Sequence, residues 1–201
     1  MKRFWSTLGA VVLFFGCATW SNATTDFNRL GPYVGIGAAA GLSDFTEESR
    51  GFGDSAGFNL LGGYRWHEYF ALEGMYEYMD NFGRSDRVSG LERKVHTDIR
   101  THNFSLMGKV IFPFFGPVQP FMKGGIGFLH ADVDRKVKSL GRAREMPVGS
   151  NIELSGRLDG GIDFILTPHL ALTFDAGYIM PTDSLFHLNY VSLGAGAQYR
   201  F

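Results

Sequence analysis

In residues 151–166, NIELSGRLDGGIDFIL, every charge falls on one parity: Glu153, Arg157, Asp159 and Asp163 alternate with Ile152, Leu154, Gly156, Leu158, Gly160, Ile162, Phe164 and Leu166. A period of two puts successive side chains on opposite sides of an extended strand, so this stretch has one charged face and one apolar face. Seven other stretches share the period, giving eight in all, at about 32–42, 56–66, 69–79, 102–112, 118–130, 151–166, 169–179 and 190–201. From the second onward the apolar parity, with Phe58, Leu60, Trp66, Leu72, Phe104, Leu106, Ile126, Phe128, Phe174 and Leu193 among its members, carries no charge. The opposite parity carries Arg65, Glu73, Glu77, Lys109, Lys123, Glu153, Arg157, Asp159, Asp163, Asp175 and Arg200, six acids and five bases. No stretch of the mature chain shows a helical period, and the expected fold class is all-β.

The connections alternate in length. "HE", "PFFGP" and "TP" are short, whereas "SDFTEESRGFGD", residues 80–101 and residues 131–150 are long, and "MPTDSLFHLN" is intermediate. Tight turns at one end and long loops at the other describe an antiparallel up-and-down meander. Such alternation serves a soluble barrel with its apolar face inside or a membrane barrel with its apolar face in lipid. Volume decides between them. An eight-stranded barrel has room inside for side chains and little else, and the apolar parity is crowded with Phe, Tyr, Leu and Trp. The charged parity is interleaved with Gly63, Gly125, Gly127, Gly161, Gly177, Gly194 and Gly196, with Leu61 as a larger exception.

Aromatic residues also gather in two belts. Tyr64, Trp66, Phe70, Phe112, Phe164, Tyr199 and Phe201 lie at the short-turn end, and Tyr76, Tyr78, Phe128 and Tyr178 at the other, as the two interfaces of a bilayer require. Lipid leaves no backbone group unpaired, so the first strand must close on the last. The expectation is an eight-stranded antiparallel up-and-down transmembrane β-barrel.

The start of the chain reads as a targeting segment. Lys2 and Arg3 precede the apolar run "LGAVVLFFG", and Ser21, Asn22 and Ala23 supply a small-residue cleavage site. This divides the chain into a signal peptide, 1–23, and a barrel domain, 24–201. The single cysteine, Cys17, lies in the first part, so the mature chain has no disulfide; lipidation of Cys17 is the competing reading. With 19 Lys and Arg against 20 Asp and Glu, the charge balance gives no sign of a nucleic-acid partner.

The last stretch, "VSLGAGAQYRF", resembles the C-terminal signature of bacterial outer-membrane barrels, with Tyr199 and Phe201 in the positions of its aromatic assembly signal. "PFMKGGIGF" and "LALTFDAGY" are similar to strand patterns of the small outer-membrane-protein-A-like barrels. The resemblance implies residence in the bacterial outer membrane, contact with its lipid and lipopolysaccharide, and insertion by the barrel-assembly machinery. No peptidoglycan-binding domain is expected after the last strand.

Three candidate sites follow. Desolvated charges must be paired, so Glu73, Glu77, Glu153, Asp159, Asp163 and Asp175 are expected to meet Lys109, Lys123, Arg157 and Arg200 in a network that plugs the lumen; a narrow solute or ion pathway is the alternative. Arg135, Lys136, Lys138, Arg142 and Arg144 form a basic cluster in the third long loop, able to meet lipopolysaccharide phosphates or an acidic polymer, although Asp132, Asp134 and Glu145 dilute it. His102 and His130 are equidistant from Gly116 and should face each other across a hairpin at the lipid-facing rim. Without a Cys or carboxylate nearby they make a weak metal site, and they read as an interfacial polar pair in preference to a metal or lipid-phosphate ligand. No serine is placed against a histidine and an acid as hydrolysis requires. The expected function is a non-enzymatic outer-membrane barrel with a structural or surface-recognition role, no cofactor and no metal. A small-solute channel is the first alternative, and an adhesin acting through the loops of 80–101 and 131–150 is the second.

Overall fold

The computed structural model describes residues 27–42, 54–88, 93–139, 142–182 and 189–201, of which 81, 83–88, 93–98, 133–139 and 142–151 are described by backbone alone. Eight strands run through them: β1 (Gly31–Leu42), β2 (Ser55–His67), β3 (Phe70–Val88), β4 (Arg93–Ile111), β5 (Val118–Ser139), β6 (Arg142–Ile165), β7 (Leu170–Pro181) and β8 (Tyr190–Arg200). Each pairs antiparallel with its neighbour in sequence, and β1 pairs with β8, from Tyr33 opposite Arg200 to Leu42 opposite Val191, to close the barrel. Gly116, at a left-handed φ of +65°, turns β4 into β5.

The expected strands are all present, but four run further. The stretches 80–101 and 131–150, read as loops, are largely ladder: β3 pairs with β4 out to Val88 opposite Arg93, and β5 with β6 out to Ser139 opposite Arg142. A tilted strand needs about 9–11 residues to cross a bilayer, and β6 has 24. The surplus of β3 to β6 stands above the rim as a four-stranded sheet. Backbone pairing continues there, yet the hydrophobic alternation that marks a strand in sequence stops where neither face meets lipid.

The parity test is answered by burial. Phe58, Leu60, Tyr64, Trp66, Leu106, Ile126, Phe128 and Leu158 point outward, while Glu73, Glu77, Lys109, Lys123, Arg157, Asp159 and Asp163 are buried inside. On β4 the outward residues from Phe112 to Phe104 are apolar; His102 and then Arg100 follow. From Phe112 to His102 the strand climbs about 25 Å along the barrel axis at about 3.3 Å per residue and a tilt of about 40°, which matches the apolar band of an outer-membrane barrel.

The interior is layered. Tyr33, Ala71, Ile111 and Phe121 form an apolar floor at the short-turn end, with Leu61 packed against it. Ala39, Met79, Phe82, Ile99, Leu129, Ala131, Ile179 and Tyr190 form an apolar collar at the other end. The charged residues lie between. The collar corrects the expectation of a lumen filled by charge and glycine with Leu61 as its exception. A filled interior excludes water, so apolar side chains there cost nothing in solvation, and the segregation of charges alone does not reveal them. Glycines fit around the bulk: a Cβ on Gly161 would stand 2.6 Å from the Phe121 ring, and one on Gly177 would collide with the Asp159 carboxylate.

Candidate functional site

The charged belt consists of two linked clusters drawn from five strands. On β5, Lys123 Nζ donates to Glu73 Oε1 on β3 at 2.8 Å and stands 3.1 Å from Asp175 on β7 and 3.5 Å from Asp159 on β6. Glu73 also accepts from Tyr33 Oη at 3.0 Å. Lys109 Nζ donates to Asp163 Oδ2 at 2.8 Å, lies 3.8 Å from Glu73, and sits 3.9 Å above the centre of the Phe121 ring. Arg157 Nε spans both oxygens of Asp159 at 2.9 and 3.0 Å, and its Nη2 donates to Glu77 Oε2 at 3.0 Å. From β8, Tyr190 Oη and Ser192 Oγ donate to Glu77 at 2.9 and 2.8 Å.

Lys123, Lys109 and Arg157 each donate to an acid on a strand that is not a sheet neighbour, from β5 to β3, β4 to β6 and β6 to β3. The arrangement therefore ties the wall together internally, and it does so in neutral balance. The described interior holds five acids, Glu73, Glu77, Asp159, Asp163 and Asp175, and five bases; of the bases Lys109, Lys123 and Arg157 donate to acids, Arg200 stands 3.9 Å from Asp163, and Arg65 is held by Gln119. Each charge desolvated without a partner would cost several kcal/mol; the buried distances show how that cost is offset.

Nine of the ten expected network residues are brought together: Glu73, Glu77, Lys109, Lys123, Arg157, Asp159, Asp163, Asp175 and Arg200. Glu153 is the exception. It is only partly buried, opposite Leu129 of the collar, and stands at the edge of the buried set. Several members escaped the sequence reading. Tyr33 and Tyr190 point inward and donate to acids, and Thr173 and Gln198 serve Asp163, Thr173 at 2.7 Å. Their parity was readable, but an uncharged side chain gives no signal that it belongs to a charge network.

The short-turn mouth is closed by residues before β1. Arg65 Nη1 donates to Gln119 Oε1 at 3.0 Å, and Gln119 Nε2 donates to Asn28 Oδ1 at 2.9 Å and the Phe27 carbonyl at 3.0 Å. Arg200 Nη1 reaches the same carbonyl at 3.2 Å, while Arg29 Nε donates to the Phe201 carbonyl at 2.6 Å. The cavity at this mouth is about 10 Å³, about one water molecule. Tyr199 and Phe201, the expected assembly signal, are exposed side by side on the outer face with ring centres 5.1 Å apart.

His102 and His130 are paired as expected, with ring centres 5.9 Å apart. The expected lack of a neighbouring carboxylate is corrected: His130 Nε2 lies 3.3 Å from Asp132, a residue read as loop that the extension of β5 carries to the rim. Among the described residues no group of three or more His, Cys, Asp or Glu could hold a metal ion. The basic cluster falls on the strand extensions, with Lys136 opposite Glu145, Val137 opposite Arg144, Lys138 opposite Ala143 and Ser139 opposite Arg142; Arg135 faces Met146. The expected signal peptide and Cys17 lie outside the described residues.

A closed antiparallel barrel with a charged, filled interior and an apolar exterior bounded by aromatic belts defines a transmembrane β-barrel. The sequence profile of the outer membrane protein beta-barrel domain matches residues 8–201, and the chain belongs to that family, whose place is the bacterial outer membrane. In fold it is similar to Ail, the attachment invasion locus protein of Yersinia pestis, at 20% identity and a TM-score of 0.52 over 86% of this chain and 100% of that one. The structure of Ail in complex with the heparin analogue sucrose octasulfate gives 19% and 0.53 over 86% and 100%. Neisserial surface protein A gives 19% and 0.53 over 85% of this chain and 97% of that one. No curated protein matches in sequence.

Proposed function

We propose that this protein is a plugged, non-enzymatic outer-membrane barrel that serves the envelope as a structural element and as a platform for surface recognition. The observation that carries the reading is the belt of Glu73, Glu77, Asp159, Asp163 and Asp175 with Lys109, Lys123 and Arg157, packed between an apolar floor and an apolar collar. An ion crossing the lumen would have to displace paired charges such as Lys123 with Glu73, and then pass Met79, Leu129 and Ile179 without hydration. Purified barrel reconstituted in a planar bilayer is expected to be silent, and stepwise conductance from homogeneous protein would sink this reading in favour of the channel. Ser105 and His102, the pair hydrolysis would most readily draw on, lie on opposite faces of β4: Ser105 Oγ donates to Asn103 Oδ1 at 3.0 Å in the interior, and His102 Nδ1 lies 2.8 Å from Tyr76 Oη on the outer face.

Recognition is assigned to the four-stranded extension, where the β5–β6 ladder sets Arg135, Lys136, Lys138, Arg142 and Arg144 within a few register positions of each other above the membrane. Ail, similar in fold, has been crystallised with a heparin analogue, which supports an acidic polymer or lipopolysaccharide phosphate as the ligand class. Replacing all five by Ser should abolish salt-sensitive retention of whole cells on heparin-agarose. Retention unchanged by that replacement would count against the cluster. The chain is also proposed to lose residues 1–23 on export, so that sequencing of the membrane-borne protein reads from Thr24, and to use Tyr199 and Phe201 as the signal for the assembly machinery.

A further inference from the structure

The interior bases are not all met alike. Lys109, Lys123 and Arg157 each donate to a carboxylate. Arg65, buried at the short-turn end of β2, instead donates to neutral oxygens: Gln119 Oε1 at 3.0 Å and the main-chain carbonyls of His67 and Glu68. Arg200, buried at the end of β8, gives Nη1 to the Phe27 carbonyl at 3.2 Å. Its Nη2 stands 3.9 Å from Asp163 Oδ2, an oxygen that Lys109 already holds at 2.8 Å. Gln119 donates to the same Phe27 carbonyl, so a chain of neutral groups joins two buried guanidinium groups. Among the described residues neither has a carboxylate within hydrogen-bonding distance.

The small cavity at the short-turn mouth lies beside them. Among the described residues its wall carries four cations, Arg29, Arg65, Lys109 and Arg200, against one acid, Asp163. Its volume of about 10 Å³ suits a single particle near the size of water. A guanidinium has five N–H groups; the bonds above engage three on Arg65 and one on Arg200, which leaves donors on both. Arg29 closes the cavity from the segment before β1, where its Nε is fixed on the Phe201 carbonyl. Cations desolvated together without a counter-charge cost several kcal/mol each, and neutral oxygens offset only part of that.

We propose that this cavity binds one small monovalent inorganic anion of the size of chloride, held by Arg65 and Arg200 and covered by Arg29. Water would fit the space but brings no charge, and phosphate or sulfate is too large for it. Asp163 does not oppose the ion, because its own charge is spent on Lys109 and Thr173. The ion also has a structural effect. Arg29 and the Phe27 carbonyl belong to the segment before β1, whereas Arg65 and Arg200 belong to β2 and β8, so a shared anion fastens that segment across the mouth that faces the periplasm. The site lies on the short-turn side of the charged belt and is independent of whether the lumen conducts.

Urea titration of the barrel in vesicles, followed by the fluorescence of Trp66, tests it when gluconate, too large for the cavity, is exchanged for chloride at constant ionic strength. One ion bound with an affinity of about 10 mM lowers the unfolding equilibrium constant about tenfold between about 1 and about 100 mM chloride, and the wild type should show that fall. Arg65→Gln keeps a hydrogen-bonding side chain and loses the charge, so its response should shrink to less than about twofold. Glu68→Gln changes a charge in the same turn outside the cavity wall and should leave the wild-type response intact. Crystals of the wild type soaked in bromide should show an anomalous peak within hydrogen-bonding distance of Arg65 and Arg200. If Arg65→Gln does not fold, Arg200→Gln is read in the same way. An unfolding constant indifferent to chloride, a response undiminished in the folded arginine variant, or bromide found only on the outer surface would each overturn the proposal and leave the mouth to water.

Discussion

The two faces of this one sheet carry glycine for opposite reasons. Inside, Gly125 faces the backbone of β4 so closely that a Cβ would strike the Leu106 carbonyl and stand 2.8 Å from the Met107 Cα. Outside, Gly108 has nothing within 4 Å of where its Cβ would be. An interior glycine is a packing requirement, set by a lumen that eight strands make narrow; an exterior glycine is a place where lipid supplies the missing bulk. The same contrast holds for charge, since the interior holds its ions through opposite charges, as Lys123 with Glu73, or through polar groups, as Arg65 with Gln119.

The largest effect should therefore come from bulk added inside. Gly125→Leu would have to push β4 and β5 apart within their ladder, and no rotamer avoids the Leu106 carbonyl. The variant is expected to yield no heat-modifiable band in outer-membrane fractions; a normal yield of folded barrel would show that the interior wall yields more readily than its close contacts imply.

Next comes the loss of one charge from the belt. Lys123→Met preserves length and bulk but leaves Glu73, Asp159 and Asp175 without their shared cation. Breaking a buried ion pair from one side costs about 3–5 kcal/mol, to be read from urea-dependent folding into vesicles with the fluorescence of Trp66. Adding Glu73→Gln to Lys123→Met should recover part of that loss, because a buried carboxylate disappears with its partner. Failure of the second change to recover anything would mean that the belt's worth lies in packing. A smaller step is Phe121→Leu, which removes the ring 3.9 Å beneath Lys109 Nζ. An interior cation over an aromatic face is worth about 1–2 kcal/mol, and the same titration should show a loss of that order.

This contrast explains which parts of the molecule the amino-acid order reveals. The alternation of Glu153, Arg157, Asp159 and Asp163 with Ile152, Leu154, Leu158 and Ile162 exposes the strand, its faces and the membrane solution, because lipid outside and buried ions inside impose opposite demands at every second residue. Above the rim that demand ends. Arg135 and Arg144 lie in strands that go on pairing past the register shift at Val133 and Asp134, yet beyond the lipid band nothing imposes an alternation, and they read as loop. The collar was hidden for a related reason: Met79 and Ile179 obey parity, but an apolar residue inside a filled lumen looks like noise when the test is the placement of charge. His130 shows a third limit. Its pairing with His102 follows from counting residues about Gly116, whereas its contact with Asp132 depends on the strand continuing past the rim.

The smallest effect sharpens the comparison most. Gly108 and Gly125 lie one register position apart on paired strands, Gly108 opposite Gly124 and Met107 opposite Gly125, with one face toward lipid and the other toward the lumen. Gly108→Ala adds a methyl group into lipid, breaks no contact, and requires no unusual backbone angle. It removes conformational freedom from the unfolded chain, an effect worth about 0.4–1 kcal/mol in favour of the folded state. The urea midpoint should rise slightly, in the direction opposite to that of any substitution at Gly125. A measurable loss at Gly108 would mean that its surface is already packed against something other than fluid lipid, and the division of this sheet into one constrained and one permissive face would have to be redrawn there.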